Sequence, residues 1–229
     1  MSQPKLSLML GLRNAGVDPG DDAETRLKKS LLIFATGLVS LGSMLWLFLY
    51  WQMGPKFSST APLAFQLLLV SNLLFFLKSH NFSFFRYGQL ALFLFMPFAV
   101  QWSIGNFITA SGTSLWGLLA PIGAVLFFGV RESLAWFFAF IFLTALSGFF
   151  DFFLADSVIT EGPHVPVRVS VFFFALNFAG VSTIVYLLLR YSTQEKAQAQ
   201  ARLEETHRLL QDEQERSERL LLNILPGPI

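Results

Sequence analysis

Four residues of the types that can bind metal ions lie close together in one stretch of the sequence. They are Asp151, Asp156, Glu161 and His164. Two residues separate Glu161 from His164, a spacing that puts a carboxylate oxygen and an imidazole nitrogen within one turn. Such ligands suit Zn²⁺ or a similar divalent cation, so this stretch is a candidate metal site. The alternative is a solvated acidic loop that binds no ion.

Other kinds of site are excluded by composition. The chain has no cysteine, so it has no disulfide, no thiolate nucleophile and no thiolate metal ligand. Its net charge is only +1, and no basic patch is present to neutralise a run of phosphates. Nucleic acid is therefore not an expected partner.

The elements that position these residues are strongly apolar. Of the 229 residues, 54% are hydrophobic and 14% are charged, and 27 are phenylalanine. A soluble domain of this size could not bury so much apolar surface. We therefore expect the lipid bilayer to cover part of the molecule.

The apolar residues fall into six runs, each close to the roughly 20 residues that a transmembrane helix needs. The runs are residues 31–51, 61–77, 87–103, 115–130, 134–154 and 167–191. Pro97 and Pro121 lie in the third and fourth runs, where neighbouring helices can satisfy the freed backbone groups. The predicted fold class is all-α: a polytopic bundle of six transmembrane helices that continues into a cytoplasmic coiled-coil-like helix.

Positively charged residues predict the orientation and the domain boundaries. Lysine and arginine are concentrated before the first run, between the second and third, between the fourth and fifth, and after the sixth. Both termini are therefore predicted to be cytoplasmic. We predict three parts: an N-terminal segment at 1–29, a membrane anchor at 30–191 and a signalling helix at 192–229. The acidic stretch at 21–24 predicts a capping box that opens a surface helix in the first part.

The polar side chains inside the spans are uncharged amides. They are Gln66, Asn72, Gln89, Gln101 and Asn177. We interpret them as interhelical hydrogen-bonding groups, worth about 1 kcal/mol each, with ligand binding as the alternative. No charged residue lies near the middle of a span, which disfavours a pump or an ion-coupled transporter.

The sixth span carries small residues at four-residue spacing: Ala175, Ala179 and Thr183. A stripe of this kind lets two helix backbones approach closely. It predicts either packing within the chain or a contact between two copies. A similar pair, Ala120 and Ala124, lies on the fourth span.

The tail after the sixth span is polar and lacks glycine and proline through residue 219. It predicts a continuous helix of about 34 residues, roughly 50 Å long. The apolar heptad positions that matter for pairing are Leu203, Leu210, Leu220 and Ile224. Polar residues at positions 213 and 217 interrupt this seam, which predicts a weak coiled coil able to shift register, as a signalling helix would. An isolated solvated helix is the alternative.

Residues 216–226, RSERLLLNILP, resemble the segment directly before the catalytic domain of membrane-bound class III adenylate cyclases. Six spans followed by this helix look like the single-chain bacterial members, which act as homodimers. The resemblance implies a membrane anchor in the bacterial inner membrane, responding to an unknown lipid, apolar ligand or ion. It implies that the parent protein converts ATP to cyclic AMP with Mg²⁺ or Mn²⁺. No catalytic residue is expected in this chain, which ends just before that domain would begin.

Two other interpretations remain open. One is a six-span receptor module of a histidine kinase or a diguanylate cyclase. The tail histidine, His207, is followed by Arg-Leu-Leu and lacks the acidic neighbour expected of a phospho-acceptor. The other is a small transporter, which the uncharged span interiors disfavour.

Overall fold

The regular structure is helical throughout the part of the chain that the computed structural model describes, namely residues 16, 20–52, 60–161 and 167–224. No strand occurs in those residues, so the all-α prediction is confirmed for them. In chain order the α-helices are α1 (Ala23–Gln52), α2 (Thr60–Ser79), α3 (Phe82–Ile104), α4 (Leu119–Phe127), α5 (Val130–Glu161) and α6 (Val167–Ile224). A 3₁₀ helix, Thr113–Leu118, directly precedes α4.

Five of these helices are long and apolar enough to cross a membrane: α1, α2, α3, α5 and α6. They coincide with five of the six predicted spans. Their outward surfaces expose many large apolar side chains, among them Leu41, Phe138 and Phe152. Exposing an apolar surface of this size to water is unfavourable, whereas contact with lipid tails carries no such penalty. The chain is built as a helical membrane protein.

The fourth predicted span differs from the others. The segment Thr113–Phe127, called here the fourth segment, consists of 6 residues of 3₁₀ helix and 9 residues of α-helix. At the usual rises this is about 25 Å, somewhat less than a hydrocarbon core of about 30 Å. Pro121 lies in the first turn of α4. Proline is tolerated in the first turn of an α-helix, where the N–H that it lacks matters least.

Burial explains how an irregular segment can lie among apolar helices. Most of the fourth segment is enclosed by protein: Thr113, Ser114, Trp116, Gly117, Leu119, Ala120, Pro121, Gly123, Ala124 and Phe127 are buried. Non-helical backbone is tolerated at membrane depth only when protein surrounds it. Gly117 and Gly123 allow this enclosure, because a Cβ at either position would lie 2.9 Å from a side chain of α3. The Ala120 and Ala124 stripe therefore serves packing within the chain.

Contacts at two sites show that the fourth segment runs between opposite ends of the bundle. Just after it, the Phe128 ring packs against Arg86, near the start of α3. Just before it, the backbone N–H of Phe107 donates to Asp151, which lies 21 residues into α5. Since α3 and α5 are both long helices, these two contacts are separated by about the length of a span.

Helix α6 is the longest element, with 58 residues from Val167 to Ile224. The prediction that the sixth span and the tail form one helix is confirmed. Residues up to Leu189 belong to one compact unit and residues from Arg190 to a second. In the second unit Leu203, Leu210 and Leu220 are more than half exposed. Pairing of this helix with another copy stays a prediction.

The cap of α1 lies one residue after the first residue of the predicted capping box, Asp21. Asp22 is the cap: its Oδ1 accepts a hydrogen bond from the Thr25 N–H at 2.9 Å, and its carbonyl accepts from the Arg26 N–H. The Thr25 side chain and backbone both hold the pKa of Asp22 below its ordinary value by bonding to the charged form.

This cap predicts a pH-dependent helix start. Because the folded pKa of Asp22 is lowered, its stabilisation is present above the unfolded pKa and is lost as the pH falls through the folded value. Amide hydrogen exchange at Thr25 should therefore show a protection factor that drops in acid. Asp22→Asn keeps an acceptor without a titrating charge, so its protection should not change with pH. Equal acid sensitivity in both proteins would contradict this role of Asp22.

Candidate functional site

The four predicted metal ligands are only partly placed by the structure. Asp151, Asp156 and Glu161 lie on α5, which continues to Glu161 where a loop was predicted. Their five-residue spacing separates successive positions by about 140° around a helix. His164 lies outside the described residues. Among the described residues no group of three or more potential ligands could hold a metal ion, and the divalent site stays a prediction.

Asp151 has a structural contact of its own. Its Oδ2 accepts a hydrogen bond from the Phe107 N–H at 2.6 Å. Phe107 belongs to the connection between α3 and the 3₁₀ helix, where Asn106 also accepts from the Thr109 N–H. The carboxylate therefore fixes the entrance to the fourth segment.

The amides inside the spans join neighbouring elements, as predicted. Ser43 of α1 donates to the Oε1 of Gln66 on α2. Asn72 of α2 donates to the Oε1 of Gln89 on α3 at 2.7 Å and to the Phe85 carbonyl at 3.2 Å. These bonds confirm the interhelical interpretation.

The remaining two amides both bond to the fourth segment or its entrance. Gln101 of α3 accepts through Oε1 from the Ser114 N–H at 3.3 Å, which satisfies a backbone donor of the 3₁₀ helix. Asn177 of α6 accepts through Oδ1 from the Trp116 indole N–H at 2.8 Å. Its Nδ2 donates to the Ser111 carbonyl, also at 2.8 Å. Asn177 is fully buried, so one amide joins α6 both to the fourth segment and to its entrance.

Trp116 is also enclosed by aromatic rings and glycines. Its ring meets that of Trp46 edge to face, with centroids 6.0 Å apart, and Trp46 meets Phe173 of α6 in the same way. A Cβ at Gly42 of α1 would lie 2.7 Å from the Trp116 ring, and one at Gly180 of α6 would lie 3.3 Å away. Helices α1 and α6 therefore approach this indole closely because they present glycine to it.

A cavity of about 40 Å³ lies beside this cluster. Its lining comes from α1, α2, α3 and the 3₁₀ helix: Ser43, Trp46, Pro62, Phe65, Pro97, Val100, Thr113 and Trp116. This volume can hold a few water molecules, or one end of a larger apolar molecule. Trp116 thus contacts the cavity and, through its indole N–H, bonds to α6.

Buried hydrogen-bond donors occur on the lining residue Trp46 and on the sequence neighbours of two others, Phe65 and Val100, whereas the lining surface itself is almost entirely apolar. The indole Nε1 of Trp46, which is part of the lining, has no hydrogen-bond partner within the described residues. The same holds for the Nε2 of Gln66, whose oxygen binds the lining residue Ser43, and for the Nε2 of Gln101. An unsatisfied buried donor costs about 1–3 kcal/mol. Because the lining is apolar, a small apolar occupant would suit this cavity.

Sequence reasoning found the amides but missed the aromatic half of the site. Trp116 lies 61 residues from its partner Asn177, and no short-range pattern connects the two. Gly42 gave a weak signal, because a glycine between serines in an apolar run is typical of close helix packing.

The small-residue stripe on α6 is not used for packing within the described chain. Ala175, Ala179 and Thr183 are exposed. The buried face of α6 instead carries residues such as Phe173 and Asn177. Packing of this stripe within the described chain is therefore not observed, and its contact with a second copy stays a prediction.

Two alanine substitutions on α1 test the enclosure of Trp116. Replacing either Gly37 or Gly42 with alanine raises the helix propensity of α1 by the same amount. The two sites differ in space, because a Cβ at Gly37 meets nothing within 4 Å. Gly37→Ala should leave thermal stability in detergent unchanged or slightly raised. Gly42→Ala should destabilise the bundle by about 1–3 kcal/mol through overpacking and shift the tryptophan fluorescence. Indistinguishable melting curves and spectra for the two variants would contradict the packing described here.

The chain was compared with protein-family models, with curated proteins and with solved structures. None of the three comparisons found a match.

Proposed function

We propose that this chain is the membrane anchor and signal-transmitting helix of a class III adenylate cyclase, whose parent protein converts ATP to cyclic AMP and pyrophosphate. One observation carries the proposal: residues 216–226 resemble the segment that precedes the catalytic domain in that family. The helix containing most of this run begins in the membrane-spanning part, since α6 extends from Val167 to Ile224. The anchor would lie in the bacterial inner membrane with both termini in the cytoplasm.

Helix α6 has the properties that a transmitting element needs. Between residues 181 and 224 it contains neither glycine nor proline, the two residues that most often bend helices. A small rotation or shift imposed near Asn177 can therefore be carried along it. Movements of this kind, of about 1–2 Å, are a common form of signal transmission.

The input would be an occupant of the cavity beside Trp116. Trp116 lines the cavity and donates to Asn177, so a ligand that displaces the indole must change its bond to α6. Such a ligand shifts the balance between two arrangements of α6 only to the extent that it binds one of them better. The stimulus we propose is a lipid or small apolar ligand, which matches the apolar lining of the cavity. An ion at the acidic end of α5 is the alternative.

The anchor would act as a homodimer. The exposed stripe of α6 and the exposed leucines of the tail are surfaces that a second copy can cover. Two anchors joined in one membrane also raise the effective concentration of two attached catalytic domains. The Mg²⁺ or Mn²⁺ of the reaction would belong to those domains, and no residue of this chain is assigned to catalysis.

The activity of the parent protein tests the proposal directly. Membranes from cells that lack other adenylate cyclases and express the full-length gene should form cyclic AMP from ATP when Mg²⁺ or Mn²⁺ is supplied. Without the added metal the activity should be lost. Formation of cyclic di-GMP, or autophosphorylation on histidine, would replace the cyclase proposal with one of the two receptor alternatives.

The same assay separates transmission from simple anchoring. Gly42→Ala, which crowds Trp116, should change the cyclase rate several-fold, as allosteric couplings commonly do. Gly37→Ala on the same helix is the control and should leave the rate unchanged. If both variants match the wild type, Trp116 has no part in transmission, although the chain would still anchor a cyclase.

Cysteine crosslinking tests the dimer, since the natural chain has no cysteine. Leu203→Cys and Leu210→Cys place single thiols on the predicted seam, and Glu205→Cys places one off the seam of the same exposed helix. In oxidised membranes the two seam variants should form disulfide-linked dimers faster, because a disulfide needs Cα atoms within about 7 Å. Equal crosslinking at all three positions, or none, would refute the paired tail.

A further inference from the structure

Arg86 is held in a cage of aromatic rings. Its guanidinium carbon lies 4.3 Å from the ring centroid of Phe128, 5.3 Å from that of Tyr87 and 5.9 Å from that of Phe82. Tyr87 and Phe128 also contact each other, with centroids 4.8 Å apart. Aromatic faces attract and orient a guanidinium, so the charge is fixed in place before any anion arrives.

No anion within the described chain neutralises this charge. Arg86 makes no ion pair with any described carboxylate, and its buried Nε has no hydrogen-bond partner among the described residues. The neighbouring cation differs: Lys29 lies over the same Phe82 ring, but its ammonium is 2.7 Å from the Asp21 carboxylate. Within the described residues, one of these two adjacent cations is therefore paired with a carboxylate and the other is not.

The cage lies at the end of the bundle where apolar helices begin. Phe82 is the first residue of α3, so Arg86 is about one turn inside it, and α5 begins at Val130, two residues after Phe128. The first turn of an apolar transmembrane helix is where lipid headgroups are expected. Further exposed basic residues at this end are Lys78 and Arg131. Exposed apolar side chains flank the cage, including Phe84, Tyr87, Val130 and Leu134.

We infer that the Arg86 cage binds the phosphate of an anionic phospholipid from the adjoining leaflet. The guanidinium fork can donate two parallel hydrogen bonds to phosphate oxygens, which a lysine cannot do. Basic pockets between transmembrane helices at the positive end are known to suit anionic headgroups. The exposed apolar flank gives the acyl chains a surface, which favours a lipid over a soluble phosphate compound. This inference rests on the bundle alone and is independent of the cyclase proposal.

Lipid binding to the purified chain in a neutral detergent tests the site. Phosphatidylglycerol and phosphatidylcholine are titrated separately, and bound lipid is counted by native mass spectrometry. We expect selective retention of phosphatidylglycerol by the wild type. Arg86→Gln should lose about tenfold in affinity for it, the equivalent of about 1.4 kcal/mol. Arg131→Gln removes one exposed charge from the same end and should keep the wild-type affinity.

Three results would overturn the inference. The first is an equal loss in Arg86→Gln and Arg131→Gln, which would indicate diffuse surface charge. The second is equal retention of both lipids by the wild type. The third is displacement of phosphatidylglycerol by millimolar inorganic phosphate, which would indicate a soluble anion. If Arg86→Gln does not fold, Arg86→Lys retains the charge without the fork: a several-fold loss supports the cage, and unchanged affinity rejects it.

Discussion

The arrangement of the bundle depends on enclosing the fourth segment in protein, and the hydrogen bond between the Trp116 indole and the Asn177 amide is part of that enclosure. A 3₁₀ helix followed by a short α-helix leaves polar backbone that lipid cannot satisfy, so protein must enclose the fourth segment. Helix α6 contributes to that enclosure through Asn177, which also holds the Ser111 carbonyl at the entrance to the segment. The irregular segment and the longest helix are therefore stabilised together.

The strength of the hydrogen bond between Trp116 and Asn177 suits the proposed signal transmission. Hydrogen bonds between transmembrane helices are worth about 0.6–2 kcal/mol, so losing one changes an equilibrium about three- to thirtyfold. That is enough to alter an output and too little to unfold a bundle that is also held by the bonds of Gln66, Asn72 and Gln89. The cavity lies beside Trp116, so the proposed ligand would act on this one bond through a small displacement of the indole.

The sequence predicted what depends on local pattern and missed what depends on distant partners. Run length and apolarity located five long helices, and the absence of glycine and proline predicted the helical tail. The fourth run has the same apolarity, yet apolarity specifies burial and does not specify helix type, so its 3₁₀ turn could not be predicted. The residue type of Asn177 predicted an interhelical hydrogen bond. Its partner Trp116 could not be predicted, because the two residues lie 61 positions apart and no local pattern connects them. Asp151 was interpreted as a metal ligand, and its bond to the Phe107 N–H appears only once α3 and α5 are packed.

In the proposed dimer, the two exposed surfaces of α6 would favour association for two different physical reasons. In the membrane, contact with lipid satisfies Ala175 and Ala179 as well as contact with protein, so burial gives no driving force for pairing. Only the close backbone packing that small residues allow favours a second helix there. In the tail, Leu203 and Leu210 are exposed in a helix otherwise rich in charge, and burying them against a second copy removes apolar surface from water. Each contact alone is weak. Because one continuous helix carries both, formation of either contact raises the effective concentration for the other, and a dimer can be stable while each of its seams remains free to shift.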